Sequence, residues 1–338
     1  MGVKKIRLKQ QPSQPGTIDR TIVAQHFTDV EQFADFFIHS QMQLIQLTPG
    51  PFHSEFLSAR IGDIYFNRIR TNQSIQVCGS KHQDYVAFAI VWSAKGSHFY
   101  AHNLPLSLQT SLFGFDRQRE VALVSPPQGM MTEIFIPITT FQTHADRLQR
   151  YDIDDRFLAA NHISLLPDRM GEIKHYLRDL FWLVEHKADW VQQPQALNLI
   201  ANDLMPLLIQ SIPIKGRTVP ALKSSRRSQL IAQAEQEMVA HLGKPLTLKD
   251  LAKRLGSSSS ALSYGFQDLF GMSPMRYLKV RRLNGVRQCL KASDPEQCKI
   301  ETLANQFGFW SAGHFARDYK AMFGELPSET LRATATVK

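Results

Sequence analysis

Gly313, Arg317 and Lys320 turn away together from a helix side centred on Phe315, with His314 and Ala316 flanking them. Their side chains suit a nucleic-acid duplex. A guanidinium at 317 can hold the O6 and N7 acceptors of a guanine through two parallel bonds. An imidazole at 314 can make one bond to a base edge or a phosphate, and an ammonium at 320 suits phosphate. Glycine at 313 lets the backbone approach a sugar-phosphate chain closely. The competing reading of Arg317 is an ion pair with a carboxylate on its own surface. Upstream, Ser260, Tyr264 and Gln267 form a second outward set, with Ser263 beside it.

The elements that must carry these residues are written twice. Leu251 to Gly271 and Leu303 to Gly324 each read as a short helix, a glycine break and a second helix, and their paired alanines, 252 and 304, stand 52 positions apart. In each copy the alanine lies four residues before a glycine, Gly256 or Gly308. Two helices that cross steeply need a small residue at the contact and a turn residue that tolerates positive φ. Leu251, Leu255, Leu262, Phe266 and Leu269 then form one small core, and Leu303, Phe307, Phe315, Tyr319 and Met322 the other. This is the helix-turn-helix pattern, whose second helix enters the major groove. Ser273 and Pro274 supply an N-cap and a first helical position, so the spacing predicts a linking helix to about Lys291. Such a helix is roughly 27 Å long. It can hold two recognition helices near 34 Å apart, about one turn of DNA. Lys279, Arg281, Arg282 and Arg287 on it are candidates for phosphate, Arg282 being equally suited to binding backbone carbonyls.

Charge agrees with this assignment. Of the net +9, residues 1–222 hold 21 basic and 20 acidic side chains while residues 223–338 hold 18 and 10, so the last third carries +8. A basic segment beside a neutral body is the electrostatic mark of a polyanion-binding module.

The rest of the chain divides by period. Residues 1–20 are polar with Pro12, Pro15 and Gly16, and read as a loose tail. Residues 21–144 read as short strands, with a hairpin at Gly62-Asp63 and further strands at "SIQVCG", "YVAFAIVW", "SHFYAH" and "MTEIFIPI". In 145–212 the period becomes helical: Met170, Ile173, Leu177, Leu180 and Val184 form one stripe, and Leu197, Ile200, Leu204 and Leu207 a second that Pro206 should kink or split. These stripes suit a dimerisation segment or packing on the strands. Residues 213–227 hold two prolines, a glycine and a serine-basic cluster, and read as a linker. Residues 228–333 are all helical, with helix-turn-helix units at about 247–271 and 299–324 flanking the linking helix at 274–291. The expected fold class is therefore α+β and multidomain: an N-terminal degenerate cupin-like β-sandwich or barrel with a helical segment, then an all-α domain.

"SPMRYLKVRRLNGVRQCL" followed by "GFWSAGHFARDYKAMFGELPSE" resembles the DNA-binding domain of AraC/XylS-type transcription regulators, and the likeness covers about 228–333. The resemblance implies two recognition helices per protomer and an N-terminal domain for effector binding or dimerisation. By position, Ser260, Ser263 and Tyr264 are the first base-reading set, and Ala312, Gly313, His314 and Arg317 the second. Gln267, Lys279, Arg281, Arg282 and Lys320 are the phosphate set. Tyr264 stands where the family often has a basic residue, and "GSSSS" with Gly265 makes a poor helix former, so base reading by the first unit is an open expectation. "LTPGPFHSEFLSARIGDIYFNR", with "GFW" and "DYKAMFGE", resembles the subgroup of the ethanolamine-utilisation regulators, which respond to ethanolamine with a cobalamin cofactor. The resemblance implies a small-molecule effector, and divergent members need not share that ligand. The implied partners are double-stranded DNA, RNA polymerase and a second copy of the chain.

Other classes fit less well. No apolar run is long enough for a bilayer and no secretory signal is present, so the expectation is a cytoplasmic protein without membrane contact. Cys78, Cys289 and Cys298 make no disulfide framework and no four-thiolate zinc site. His82, His98 and His102 lie where a metal-dependent cupin-type enzyme would place ligands. They lack the close His-x-His and following carboxylate of such a site, so no enzyme, metal or cofactor is expected. An N-terminal domain that only dimerises or binds protein is the alternative to an effector sensor.

Overall fold

The computed structural model describes residues 22–35, 42–93, 98–214 and 226–333. The expected tail and most of the expected linker lie outside these residues.

The strands are β1 (Ile22–Phe27), β2 (Met42–Gln46), β3 (Ser54–Ile61), β4 (Ile64–Thr71), β5 (Ile75–Gly79) and β6 (Tyr85–Ser93). They continue with β7 (Tyr100–Ala101), β8 (Leu104–Pro105), β9 (Ser111–Phe113), β10 (Val121–Ser125), β11 (Gly129–Pro137) and β12 (His162–Ser164). They form two antiparallel sheets, in the orders β1-β3-β4-β11-β6-β9-β12 and β2-β5-β10-β7-β8. Ile61 pairs with Ile64 across Gly62 and Asp63, and Gly62 takes φ +63, which suits the two-residue hairpin. Alternation divides each strand between two cores. Phe56, Ile69, Met131 and Val91 fill the space between the sheets with Phe27, Phe33, Leu44 and Leu123, whereas Leu57, Ala59, Phe66 and Ile134 face helices on the other side of the larger sheet.

That helical layer is made of α2 (Ile138–Arg147), α3 (Asp155–Leu158), α4 (Pro167–His186), α5 (Ala188–Val191) and α6 (Pro194–Ser211); α1 (Val30–Asp35) lies earlier in the chain. The whole predicted stripe of α4 is buried, and each such side chain contributes about 1.5–3 kcal/mol. Four expectations need correction. Pro206 does not split α6, which runs unbroken from Pro194 to Ser211; the carbonyl that loses its donor is that of Asn202, an exposed residue open to solvent. The buried face of α6 runs through Ala196, Ile200, Leu204 and Leu208, with Met205 and Ile209, leaving Leu197 and Leu207 half-buried at its edge. The segment expected to be helical also returns a strand, β12, to the larger sheet beside β9. Among the described residues of "SHFYAH", His98 to His102, only Tyr100–Ala101 is a strand.

Glu133 faces the inner side of the larger sheet between Asn67 and Ala89. Burial pushes its carboxyl up to about 7, against a hydrogen bond from Asn67 and the charge of Lys81. A folded pKa above the unfolded one means that folding loses stability as pH rises from about 4.5 through 7. Glu133→Gln should therefore raise stability at pH 8 by about 1–2 kcal/mol and change it little at pH 5. Urea unfolding of both proteins at the two pH values measures this, and an equal difference at both would refute it.

The remaining helices are α7 (Arg226–Ala240), α8 (Leu248–Arg254), α9 (Ser259–Phe270), α10 (Pro274–Ala292), α11 (Ile300–Gln306), α12 (Ala312–Phe323) and α13 (Pro327–Ala333). They share one core, to which the smaller sheet adds Ile45, Leu47, Tyr100 and Val124 from its outer face. The sheet and the helices are thus packed together directly.

Candidate nucleic-acid interface

Each helix pair is built as its residue types require. Thr247 and Asp250 form a full capping box at the start of α8, and Gly256 and Gly308 take φ +58 and +80 at the two turns. Ala252 and Ala304 are buried at the crossings. In α9, Leu262, Phe266, Leu269 and Phe270 are buried, and in α12 Phe315, Tyr319, Met322 and Phe323. The opposite faces are open: Ser260, Tyr264 and Gln267 are exposed, as are Ala312, Gly313, His314, Arg317 and Lys320, while Ser263 is half-buried.

The ion pair that the competing reading of Arg317 requires is not formed: among the described residues its side chain has no ion pair or hydrogen bond, and the same holds for the side chains of His314 and Lys320. The nearby carboxylate of Asp318 is taken by Lys279 at 2.6 Å, which ties α10 to α12. A Cβ added at Gly313 would meet nothing within 4 Å, so the surface there is open to an approaching molecule. The Ser311 side chain makes no cap bond at the start of α12, whereas Ser258 caps α9 by accepting from the Ala261 amide. An uncapped first turn leaves amide donors for an anion.

The basic residues of α10 divide between inward and outward placement, and Arg282 takes the carbonyl-binding alternative. Arg282 donates through Nε to the Leu242 carbonyl at 2.7 Å and through Nη2 to that of Lys244 at 2.6 Å, so it is a structural brace. Arg281 is half-buried and donates to Gln76 of β5 at 3.3 Å. Arg287 is buried among carboxylates, bonding Asp29 at 2.7 Å, Glu31 at 2.9 Å and Glu325, with its guanidinium 4.8 Å from the Phe323 ring. These three turn inward because α10 is covered by the sheet on one side and by the loop after α7 on another. Lys279 remains exposed.

The sheet also holds both second helices by their last turns. Gln46 Nε2 and the Gly50 amide each donate to the Met322 carbonyl of α12 at 3.0 Å, and Tyr100 Oη donates to the Asp268 carbonyl of α9 at 3.0 Å. Asn284 of α10 pairs with the backbone of edge residue Gln46 in both directions, at 3.0 and 2.9 Å. Carbonyls in a last helical turn lack intrahelical donors, so these bonds fill a need and fix position together.

Two residues of this surface are not singled out by spacing. Arg227 of α7 lies 4.5 Å over the ring of Tyr264, so the tyrosine offers a cation-bearing platform. Trp310, just ahead of α12, is 74% exposed. Periodicity could not reveal either, since one depends on a neighbouring helix and the other lies in a turn.

Residues 251–333 match a family model described as a helix-turn-helix domain. The chain is 31% identical over 133 residues to XylDLEGF operon transcriptional activator 2 of Pseudomonas putida, covering 39% of this chain and 80% of that protein. It belongs to the AraC/XylS family of transcription regulators. A probable thc operon regulatory protein of Rhodococcus erythropolis is 38% identical over 103 residues, 30% of this chain and 31% of that one. The AraC/XylS-family chain thus spans less than half the length of the first curated relatives it matches. A solved structure of a probable AraC family transcriptional regulator from Rhodopseudomonas palustris is 36% identical, covering 31% of this chain and 97% of that one, with a TM-score of 0.29. Among the described residues no helix is long and apolar enough to cross a membrane.

Proposed function

We propose that this chain is a sequence-specific regulator of transcription that places α9 and α12 in successive major grooves of double-stranded DNA. The observation that carries the reading is the unpaired guanidinium of Arg317 beside His314 on the open face of α12. Arg317, His314, Gly313 and Ala312 read bases there; Ser260, Ser263 and Tyr264 are the weaker set on α9. Lys320, Gln267 and Lys279 serve phosphate, Lys279 by leaving Asp318. Arg281 and Arg282 drop out of the phosphate set because their bonds are internal. Activation through RNA polymerase is the reading that the relatives' names as operon activators support.

Dimerisation through 145–212 is supported by where exposed apolar side chains collect. Among the described residues, six of the nine large ones, Tyr151, Leu166, Trp182, Trp190, Leu199 and Ile214, lie in or beside that segment. A groove of about 660 Å³ between α4 and α6 includes Trp190, Leu199 and Leu183, and apolar surface of this kind marks an interface. The cupin-like sandwich is the proposed effector domain of a cytoplasmic homodimer. The alternative, a domain that only dimerises or binds protein, predicts retained dimerisation and no thermal shift with any metabolite of a panel.

Selecting bound fragments from the organism's own DNA tests the reading, and recovery of no enriched sequence at modest ionic strength would refute it. Lys320→Ala should then weaken binding to every duplex alike and reduce the slope of log affinity against log salt by about 0.9. A change confined to the selected sequence would count against a phosphate role.

A further inference from the structure

Trp310 is the most exposed large apolar side chain among the described residues, and neither set of expected DNA contacts uses it. The turn that carries it is braced. Gly308 takes φ +80 against the Arg282 guanidinium, the Phe309 amide donates to the Ala304 carbonyl at 3.0 Å, and the Phe309 ring packs 5.1 Å from that of Phe315. One aromatic of the pair therefore enters the core while the next is sent outward by fixed backbone. An indole left in water adds little to folding, since its stabilisation comes from burial. Among the described residues its N–H has no acceptor.

Its place in the chain identifies what would meet it. Trp310 precedes Ser311, the N-cap of α12 whose side chain makes no cap bond, and His314 and Arg317 follow on the first two turns of that helix. In a groove-bound recognition helix the N-terminal residues reach base edges. The residue immediately ahead of such a helix then lies at the lip of the groove, where the surface is deoxyribose and phosphate. A flat apolar ring with one neutral donor suits both parts of that surface.

We propose that Trp310 is a backbone contact that seats α12 in the groove, its ring against a deoxyribose and its indole N–H donating to a phosphate. The assignment rests on the DNA-binding reading above. Because the donor is neutral, it releases no counterion, which distinguishes it from Lys320.

The test uses the full chain, Trp310→Phe and Trp310→Ala, with a mixed-sequence duplex about three turns long at low salt. Wild-type tryptophan emission should change on DNA addition. Trp92, Trp182 and Trp190 lie on β6, α4 and α5, so Trp310→Phe should bind DNA with that change abolished. Its Kd should rise about three- to tenfold with the salt slope unaltered, and that of Trp310→Ala by about tenfold or more. If Trp310→Phe keeps the wild-type emission change and affinity, the contact is overturned while DNA binding stands. A wild-type chain that binds no duplex overturns the DNA-binding reading and this contact with it. An emission response to a protein partner and none to DNA overturns the contact in favour of a protein-facing role.

Discussion

Arg287→Ala should cost the fold about 3–5 kcal/mol, because it strands a buried cluster of carboxylates without its central cation. Asp29 comes from the turn after β1, Glu31 from α1 and Glu325 from the segment after α12, so one guanidinium joins the N-terminal sheets to the DNA-binding helices. Lys291 reaches only Asp29, at 2.6 Å, and cannot replace it. Burial works to raise the Asp29 carboxyl, but Arg287 and Lys291 outweigh it and hold it at about 2. A depressed carboxyl gives stability that is present above its unfolded value of about 3.8 and is lost as pH falls through 2. Glu31 goes the other way: burial lifts it to about 7, so it accepts the cluster's first proton. In the variant the penalty of stranded charge is therefore greatest above pH 7 and smaller at pH 5. Urea unfolding followed by far-UV circular dichroism measures both effects. A variant within 1 kcal/mol of wild type at pH 8 would sink the assignment.

Arg317→Ala is expected to weaken binding to the selected DNA by about 1–3 kcal/mol and to relax preference at one base position. Binding to unrelated duplexes should fall much less, since a lost base contact removes discrimination before general affinity. The side chain is exposed and free of internal partners, so the fold should be unaffected and wild-type unfolding serves as the control. Gel shifts on the selected site and on single-base variants read the result. Unchanged affinity with unchanged preference would refute base contact at this position.

Within the described residues, most of the helical core was legible in the sequence because its determinants are local. Apolar spacing marked Leu262, Phe266 and Leu269 on α9 and Phe315, Tyr319 and Met322 on α12, and all are buried. Thr247-x-x-Asp250 and Ser273-Pro274 marked helix starts through capping, which involves only neighbouring residues. Gly265 reads in the sequence as a poor helix former, and its packing role is not visible there. A Cβ there would meet Ile231 Cδ1 at 2.4 Å, so its small size admits α7 against α9.

What the amino-acid order determined by itself was the duplicated helical unit, its capping, its buried faces and its outward cations, since each follows from periodicity within one helix. Which cations stay available was decided only in three dimensions. Arg281, Arg282, Arg287 and Arg317 are alike in a sequence, but the first three find Gln76, two backbone carbonyls and three carboxylates that come from distant segments, and only Arg317 is left facing water. The same is true of the sheet's grip on both recognition helices. Hydrogen bonds between residues more than a hundred positions apart have no local period, and the physical need they meet appears only when the last turns of α9 and α12 are set against β2 and β7.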